Sequence, residues 1–187
     1  MTNAKEEYTI KNIRMTSYYT DRSVPSISLK EVSGTTIKDT TSNYLFKDKK
    51  VVIFSVPGAF TPTCSSKQVP DFDKEYEQFI KLGISNIYCI SVNDPFVMSN
   101  WYSHLKINSI KFISDYSSYF TKDLGMLVDK SHLGMGMRSW RYAALIDNML
   151  VKAWFEEPGR NILGSYKDPY GETSPKKILE YLKINMK

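Results

Sequence analysis

Two cysteines occur in the 187 residues, Cys64 and Cys89, and only the first stands where a thiol could do chemistry. Cys64 closes the run Thr61-Pro62-Thr63-Cys64. With Thr61 as a helix cap and Pro62 at the first helical position, Cys64 falls at the third. Free backbone N–H groups and the positive end of the helix dipole then face the sulfur and favour thiolate over thiol. Such a thiolate could attack a peroxide, approaching one oxygen in line with the O–O bond. The leaving oxygen develops negative charge and needs donors or a cation. Thr61, one helical turn before Cys64, can bring a hydroxyl beside the sulfur. Pro57 can shield one side of the pocket and has no N–H to compete. Taken alone, these residues leave two readings open, a reactive thiolate and an inert core thiol, because free cysteines are among the most buried residues.

The elements that must position this cysteine follow from pattern. Residues 27–32, the turn Ser33-Gly34 and residues 35–38 read as a short hairpin. Residues 51–56 form a continuous apolar, β-branched run, predicting a strand buried on both faces and ending directly before Pro57. The helix after Cys64 carries Phe72, Tyr76, Phe79 and Ile80 at helical spacing and stops at Gly83, with a kink expected at Pro70. Residues 87–92 read as a second buried strand, and Asp94-Pro95 opens a helix bearing Phe96, Val97, Trp101 and Leu105. Then come a strand at 110–113, a short helix near 120–124, and a hairpin of 141–146 and 150–155 about the turn Asp147-Asn148. Ser174-Pro175 opens a last helix with Ile178, Leu179 and Leu182 on one face. The order predicts an α/β layer fold: a mixed central sheet flanked by helices, with an N-terminal hairpin added, which fits a thioredoxin-like arrangement. Ligands in such folds sit at the C-terminal edge of the strands, where Cys64 would lie.

Pro57-Gly58-Ala59-Phe60-Thr61-Pro62-Thr63-Cys64 resembles the active-site pattern PxxxTxxC of the peroxiredoxins, without departure. The wider string VPGAFTPTC, the stretch Ser91-Val92-Asn93-Asp94-Pro95-Phe96-Val97 with Trp101 after it, and RYAALID starting at Arg141 resemble the type II, or peroxiredoxin-five-like, branch. The resemblance spans roughly residues 24–185. It implies a thioredoxin-like fold and a thiol peroxidase acting on hydrogen peroxide and alkyl hydroperoxides. Cys64 would be the peroxidatic residue, Thr61 and Arg141 would hold the peroxide and keep the sulfur ionised, and Pro57 and Gly58 would complete the substrate site. Arg138 is read instead as a surface or dimer-edge residue. Attack on peroxide leaves Cys64 as a sulfenic acid. No cysteine follows Cys89 here, and Cys89 lies in an apolar strand, so it reads as an inert core thiol. A one-cysteine cycle is therefore expected, with glutathione and glutaredoxin, or thioredoxin, as the external reductant and no cofactor. Members of the branch often form dimers. A homodimer patch could draw on Phe60, Trp101, Trp140 and Met137, which could equally pack in the core.

Composition narrows the alternatives. A 42% hydrophobic, 24% charged chain of this length fits one domain, read as residues 23–187 behind a flexible segment, residues 1–22. That segment reads as a tail or the remnant of a targeting region. Two cysteines make no disulfide framework, so the chain reads as intracellular, in the cytosol or in an organelle such as a plastid or mitochondrion. The charge of +5 comes from Lys and Arg interleaved with Asp and Glu, which argues against a nucleic-acid partner. No apolar run approaches the roughly 18–20 residues that cross a bilayer, and no Cys/His spacing suits a metal. A cysteine hydrolase would need a histidine base, and neither His104 nor His132 sits in a partner motif. Cys64-Ser65-Ser66-Lys67 is not C-x-x-C, which excludes a thioredoxin-type dithiol at Cys64. A non-enzymatic redox sensor using the same cysteine is the remaining alternative; it would react once and stop.

Overall fold

The computed structural model describes residues 19–160 and 167–185. Its centre is a seven-stranded sheet in the order β2-β1-β5-β4-β3-β8-β9. The strands are β1 (Ser28–Ser33), β2 (Thr36–Thr41), β3 (Lys50–Val56), β4 (Asn86–Ser91), β5 (Lys111–Ser114), β8 (Tyr142–Asp147) and β9 (Leu150–Glu156). β3, β4 and β5 run parallel, and the hairpins β1–β2 and β8–β9 flank them antiparallel. This is the mixed sheet of a thioredoxin-like α/β fold, as the order of elements predicted, with the N-terminal hairpin added at one edge.

The continuous apolar strands are explained by burial on both faces. Successive side chains alternate across a sheet. Val52, Phe54 and Val56 of β3 enter one core together with Cys89 and Leu145, while Val51 and Ile53 enter a second core with Tyr88, Ile90 and Ile146. The first core also takes Val69, Phe72 and Phe79 from helix α2 (Val69–Lys81), and Phe72 stacks on Phe54 with centroids 3.9 Å apart. Helix α3 (Pro95–Leu105) covers the same face through Met98 and Trp101. Its cap is the expected one: Asp94 Oδ1 accepts from the N–H groups of Phe96 and Val97, at 2.9 and 3.0 Å. Helix α5 (Pro175–Asn185) buries Ile178, Leu179 and Leu182, as its spacing predicted.

Several local expectations need correction. The irregularity at Pro70 takes the form of a π turn, Cys64–Gln68, in which the Val69 N–H donates to Cys64 O. Pro70 has no N–H to give Ser66, and the wider turn before it absorbs the mismatch. The β8–β9 turn is Asn148-Met149, both left-handed at φ 46° and 68°, one residue later than Asp147-Asn148. Among the described residues, short pieces escaped the pattern: helix α1 (Ser42–Phe46), the small sheet of β6 (Leu127–Asp129) with β7 (Met137–Ser139), and the 3-10 turn Ser131–Leu133. Each is too short to carry a period. Helix α4 (Tyr119–Asp123) lies where the short helix was expected.

Residues 19–22, the end of the expected flexible segment, pack on the fold. Tyr19 is buried, stacks on Trp154 at 3.9 Å, and donates its hydroxyl to Leu124 O at 3.2 Å. Asp21 N–H donates to Val151 O at 2.7 Å, and Val151 N–H to Arg22 O at 3.0 Å, tying the chain to β9. Residues 1–18, the rest of the expected flexible segment, lie outside the described residues.

Candidate active site

Cys64 stands just beyond the C-terminal end of β3, fully buried. Ser65 N–H donates to Thr61 O at 3.0 Å, the first helical bond, so Thr61 occupies the cap position and Cys64 the third helical one. The Thr61 side chain does not cap. Its hydroxyl donates to Gly58 O at 2.9 Å, which leaves its lone pairs to accept a proton from a ligand. Pro57 and Gly58 are buried beneath this loop.

Arg141, directly before β8, reaches the same point from the neighbouring strand. It is 1% exposed, and Nη1 donates towards Cys64 Sγ at 3.5 Å. Nη1 also donates to Gln68 Oε1, and Nη2 to Asp168 Oδ1. The Tyr170 ring lies 5.9 Å from Cζ. Burial works against the guanidinium's charge, but the Cys64 sulfur and Asp168 outweigh it and raise its pKa above the ordinary value, so Arg141 is a fixed cation. Arg141 Nε is buried and has no partner among the described residues, a donor left over for an incoming oxygen.

A second layer holds the loop. Asn93 Oδ1 accepts from Ala59 N–H at 3.0 Å and from the Ser91 hydroxyl at 2.7 Å, while Ser114 donates its hydroxyl to Asn93 O. Trp101 Nε1 donates to Ser65 Oγ at 3.0 Å, clamping the turn beside Cys64. A Cβ on Gly58 would come 3.0 Å from Met135 Cε, at the far end of a flexible side chain that packs on the loop. Phe60 is left-handed at φ 61°, which costs a non-glycine residue about 1 kcal/mol.

The structure thus places Arg141 against Cys64 and bonds Thr61, one helical turn before Cys64, to Gly58, with Pro57 buried next to Gly58 in the chain. Arg138 is half-buried and donates to Val92 O, a brace for the loop after β4 rather than a surface residue. Of the four candidates for a dimer patch, Trp101 and Trp140 are core, and only Phe60 and Met137 are about half exposed. His104 is exposed, with its ring tilted against Phe60 at 5.7 Å. Cys89 is wholly buried on β4, and burial, reinforced by the nearby Cys64, pushes its thiol well above the ordinary value. Sequence reasoning missed Gln68, Asp168 and Tyr170. Gln68 left a usable signal, since it lies four residues after Cys64 on the same helical side; Asp168 and Tyr170 left none. Among the described residues no three His, Cys, Asp or Glu side chains group as metal ligands, and no helix is long and apolar enough to cross a membrane.

A buried cysteine at a helix start thus faces a buried arginine at the end of a thioredoxin-like sheet. The Redoxin family model matches residues 20–167. A peroxiredoxin of Sinorhizobium fredii is 51% identical over 144 residues, covering 77% of this chain and 76% of that protein. The crystal structure of the Plasmodium falciparum antioxidant protein, a 1-Cys peroxiredoxin, superposes with a TM-score of 0.83 at 36% identity, covering 88% of this chain and 99% of that one. Reduced Prx3 of Vibrio vulnificus, solved with hydrogen peroxide, gives 0.78 at 32%, covering 87% and 98%. The chain belongs to the peroxiredoxins, thiol peroxidases that carry no prosthetic cofactor and draw electrons from an external thiol.

Proposed function

We propose that Cys64 is the peroxidatic nucleophile, that Thr61 and Arg141 hold the peroxide over a floor made by Pro57 and Gly58, and that the cycle uses one cysteine. The carrying observation is the 3.5 Å approach of Arg141 Nη1 to Cys64 Sγ, while the other thiol, Cys89, is sealed in the core and held protonated. Hydrogen peroxide or a small alkyl hydroperoxide enters with its O–H donated to the Thr61 hydroxyl. The Cys64 thiolate attacks that oxygen, the O–O bond breaks, and the departing oxygen takes the electron pair and then a proton. Arg141 Nε and the spare Nη protons receive the developing charge. The products are an alcohol or water and the Cys64 sulfenic acid.

Glutathione then attacks the sulfenic acid, releasing water and leaving a mixed disulfide. Glutaredoxin or a second glutathione takes the glutathionyl sulfur and frees Cys64. The match to a 1-Cys peroxiredoxin supports this order over a second cysteine in the chain. Thioredoxin is the competing reductant. The working unit is read as a homodimer, in the cytosol or an organelle. Steady-state turnover with glutathione–glutaredoxin and with thioredoxin tests the cycle. Cys64→Ser is expected to be inactive and Cys89→Ser to keep full turnover with glutathione. Loss of turnover in Cys89→Ser, or a loss of two hydrogens in the intact mass after one equivalent of peroxide, overturns the one-cysteine cycle.

A further inference from the structure

Asp168 is the outermost member of the charged line that ends on Cys64. Its side chain is 38% exposed, whereas Arg141, to which it is paired, is 1% exposed. The pair is built rather than incidental. Two residues on, Tyr170 donates its hydroxyl to Asp71 Oδ2 on α2 at 2.7 Å. Further along, Glu157 Oε1 accepts from Gly171 N–H, Thr173 N–H and the Thr173 hydroxyl, each at 2.8 Å. The segment carrying Asp168 is therefore pinned to the helix after Cys64 and to the end of β9.

The consequence is electrostatic. A Cys64 thiolate, the Arg141 guanidinium and the Asp168 carboxylate sum to one net negative charge, with one of the negative charges on the solvent side. Arg141 alone would make the site attractive to any oxidant carrying negative charge. Asp168 occupies Nη2, the amine such an anion would seek, and repels it.

We infer that Asp168 is a specificity-determining residue that makes this site select uncharged hydroperoxides over anionic peroxides. The inference rests on Cys64 being the nucleophile. Both oxidants transfer a hydroxyl oxygen to the same thiolate. Hydrogen peroxide leaves as hydroxide, which takes a proton to become water, and peroxymonosulfate, an anion at neutral pH, leaves as sulfate.

The experiment measures the second-order rate of Cys64 oxidation by hydrogen peroxide and by peroxymonosulfate in wild type, Asp168→Asn and Asp168→Glu. Removing the negative charge paired to Arg141 should raise the anion-to-neutral rate ratio of Asp168→Asn about three- to tenfold at low salt. The gain should fade as salt is added. Asp168→Glu, which keeps the charge, should keep the wild-type ratio. Equal changes in both rates would reduce Asp168 to a support for Arg141 and overturn the inference, as would an unchanged ratio. A wild type that reacts with neither oxidant would instead remove the assignment of Cys64, and this inference with it.

Discussion

Arg141 Nη1 lies 3.5 Å from Cys64 Sγ, although 77 residues separate them in the chain. The parallel pairing of β3 with β4 and the antiparallel pairing of β3 with β8 create the contact. Ser55 stands opposite Tyr142 in the β3–β8 register, so the end of β3 and Arg141, just before β8, meet at one edge. The planar guanidinium serves the sulfur and Gln68 from Nη1 and Asp168 from Nη2, a fixed fork that the single nitrogen of a lysine does not reproduce. Arg141→Lys should therefore lower the rate of Cys64 oxidation by about 10²–10³, the usual loss when a charge-stabilising donor is removed. Stopped-flow oxidation by hydrogen peroxide reads this directly, and a loss under about tenfold would count against Arg141 as the charge-bearing group.

Thr61 offers a finer test, because its hydroxyl proton is already given to Gly58. What remains for a peroxide is an acceptor. Thr61→Ser keeps that acceptor and should stay within a few-fold of wild type. Thr61→Val keeps the shape, loses the hydroxyl, and should slow Cys64 oxidation about 10–100-fold, the equivalent of one hydrogen bond to a buried polar partner. Equal rates for the valine and serine variants would show that the hydroxyl serves only the loop.

Much of this was legible in the chain because period and punctuation agree. The apolar run ending at Val56, then Pro57 and Thr61-Pro62, place Cys64 at a helix start after a buried strand, and the structure keeps that placement. The meaning of Asn93 and Trp101 was not legible. The sequence shows them as a motif, and only the fold shows Asn93 holding Ala59 N–H and Trp101 holding Ser65. Asp168 was invisible because its partner Arg141 lies 27 residues away, before the β8–β9 hairpin, and no spacing rule links the two. Tyr19 was missed for a related reason: the pair Tyr18-Tyr19 in a polar stretch carries no period, and the stacking of Tyr19 on Trp154 depends on tertiary packing.

Asp115 gives the stability a pH dependence. It is buried behind β5, and its carboxylate accepts from Phe120 N–H at 3.3 Å and Thr121 N–H at 2.8 Å at the start of α4. Burial raises its pKa above the ordinary 3.8, and the bonds to Thr121 and Phe120 only partly offset this. A carboxyl whose folded value is raised favours folding fully below its unfolded value, and that contribution is lost as pH rises through the folded value. Compared with Asp115→Asn, which does not titrate, wild type should gain stability as pH falls from neutral towards 3.8. Urea midpoints measured across that window for both proteins test this, and parallel pH curves would show that Asp115 titrates normally.

Trp101 links the core to the cysteine most directly. Its ring is buried against Phe112, with centroids 4.9 Å apart, and its Nε1 donates to Ser65 Oγ, on the residue after Cys64. Packing and hydrogen bond can be separated by two substitutions. Trp101→Ala removes both and should cost about 3–5 kcal/mol, as for other buried aromatics. Trp101→Phe keeps most of the packing, frees the Ser65 hydroxyl, and should cost about 1–2 kcal/mol. With the clamp gone, the turn that presents Cys64 loses its tie to α3. Amide exchange at Ser65 and Ser66 should then quicken in Trp101→Phe, while exchange in the centre of β3 stays slow, because local opening is set by local contacts. Uniformly faster exchange across β3 and the turn would mean that Trp101 supports the whole core and has no special hold on the cysteine.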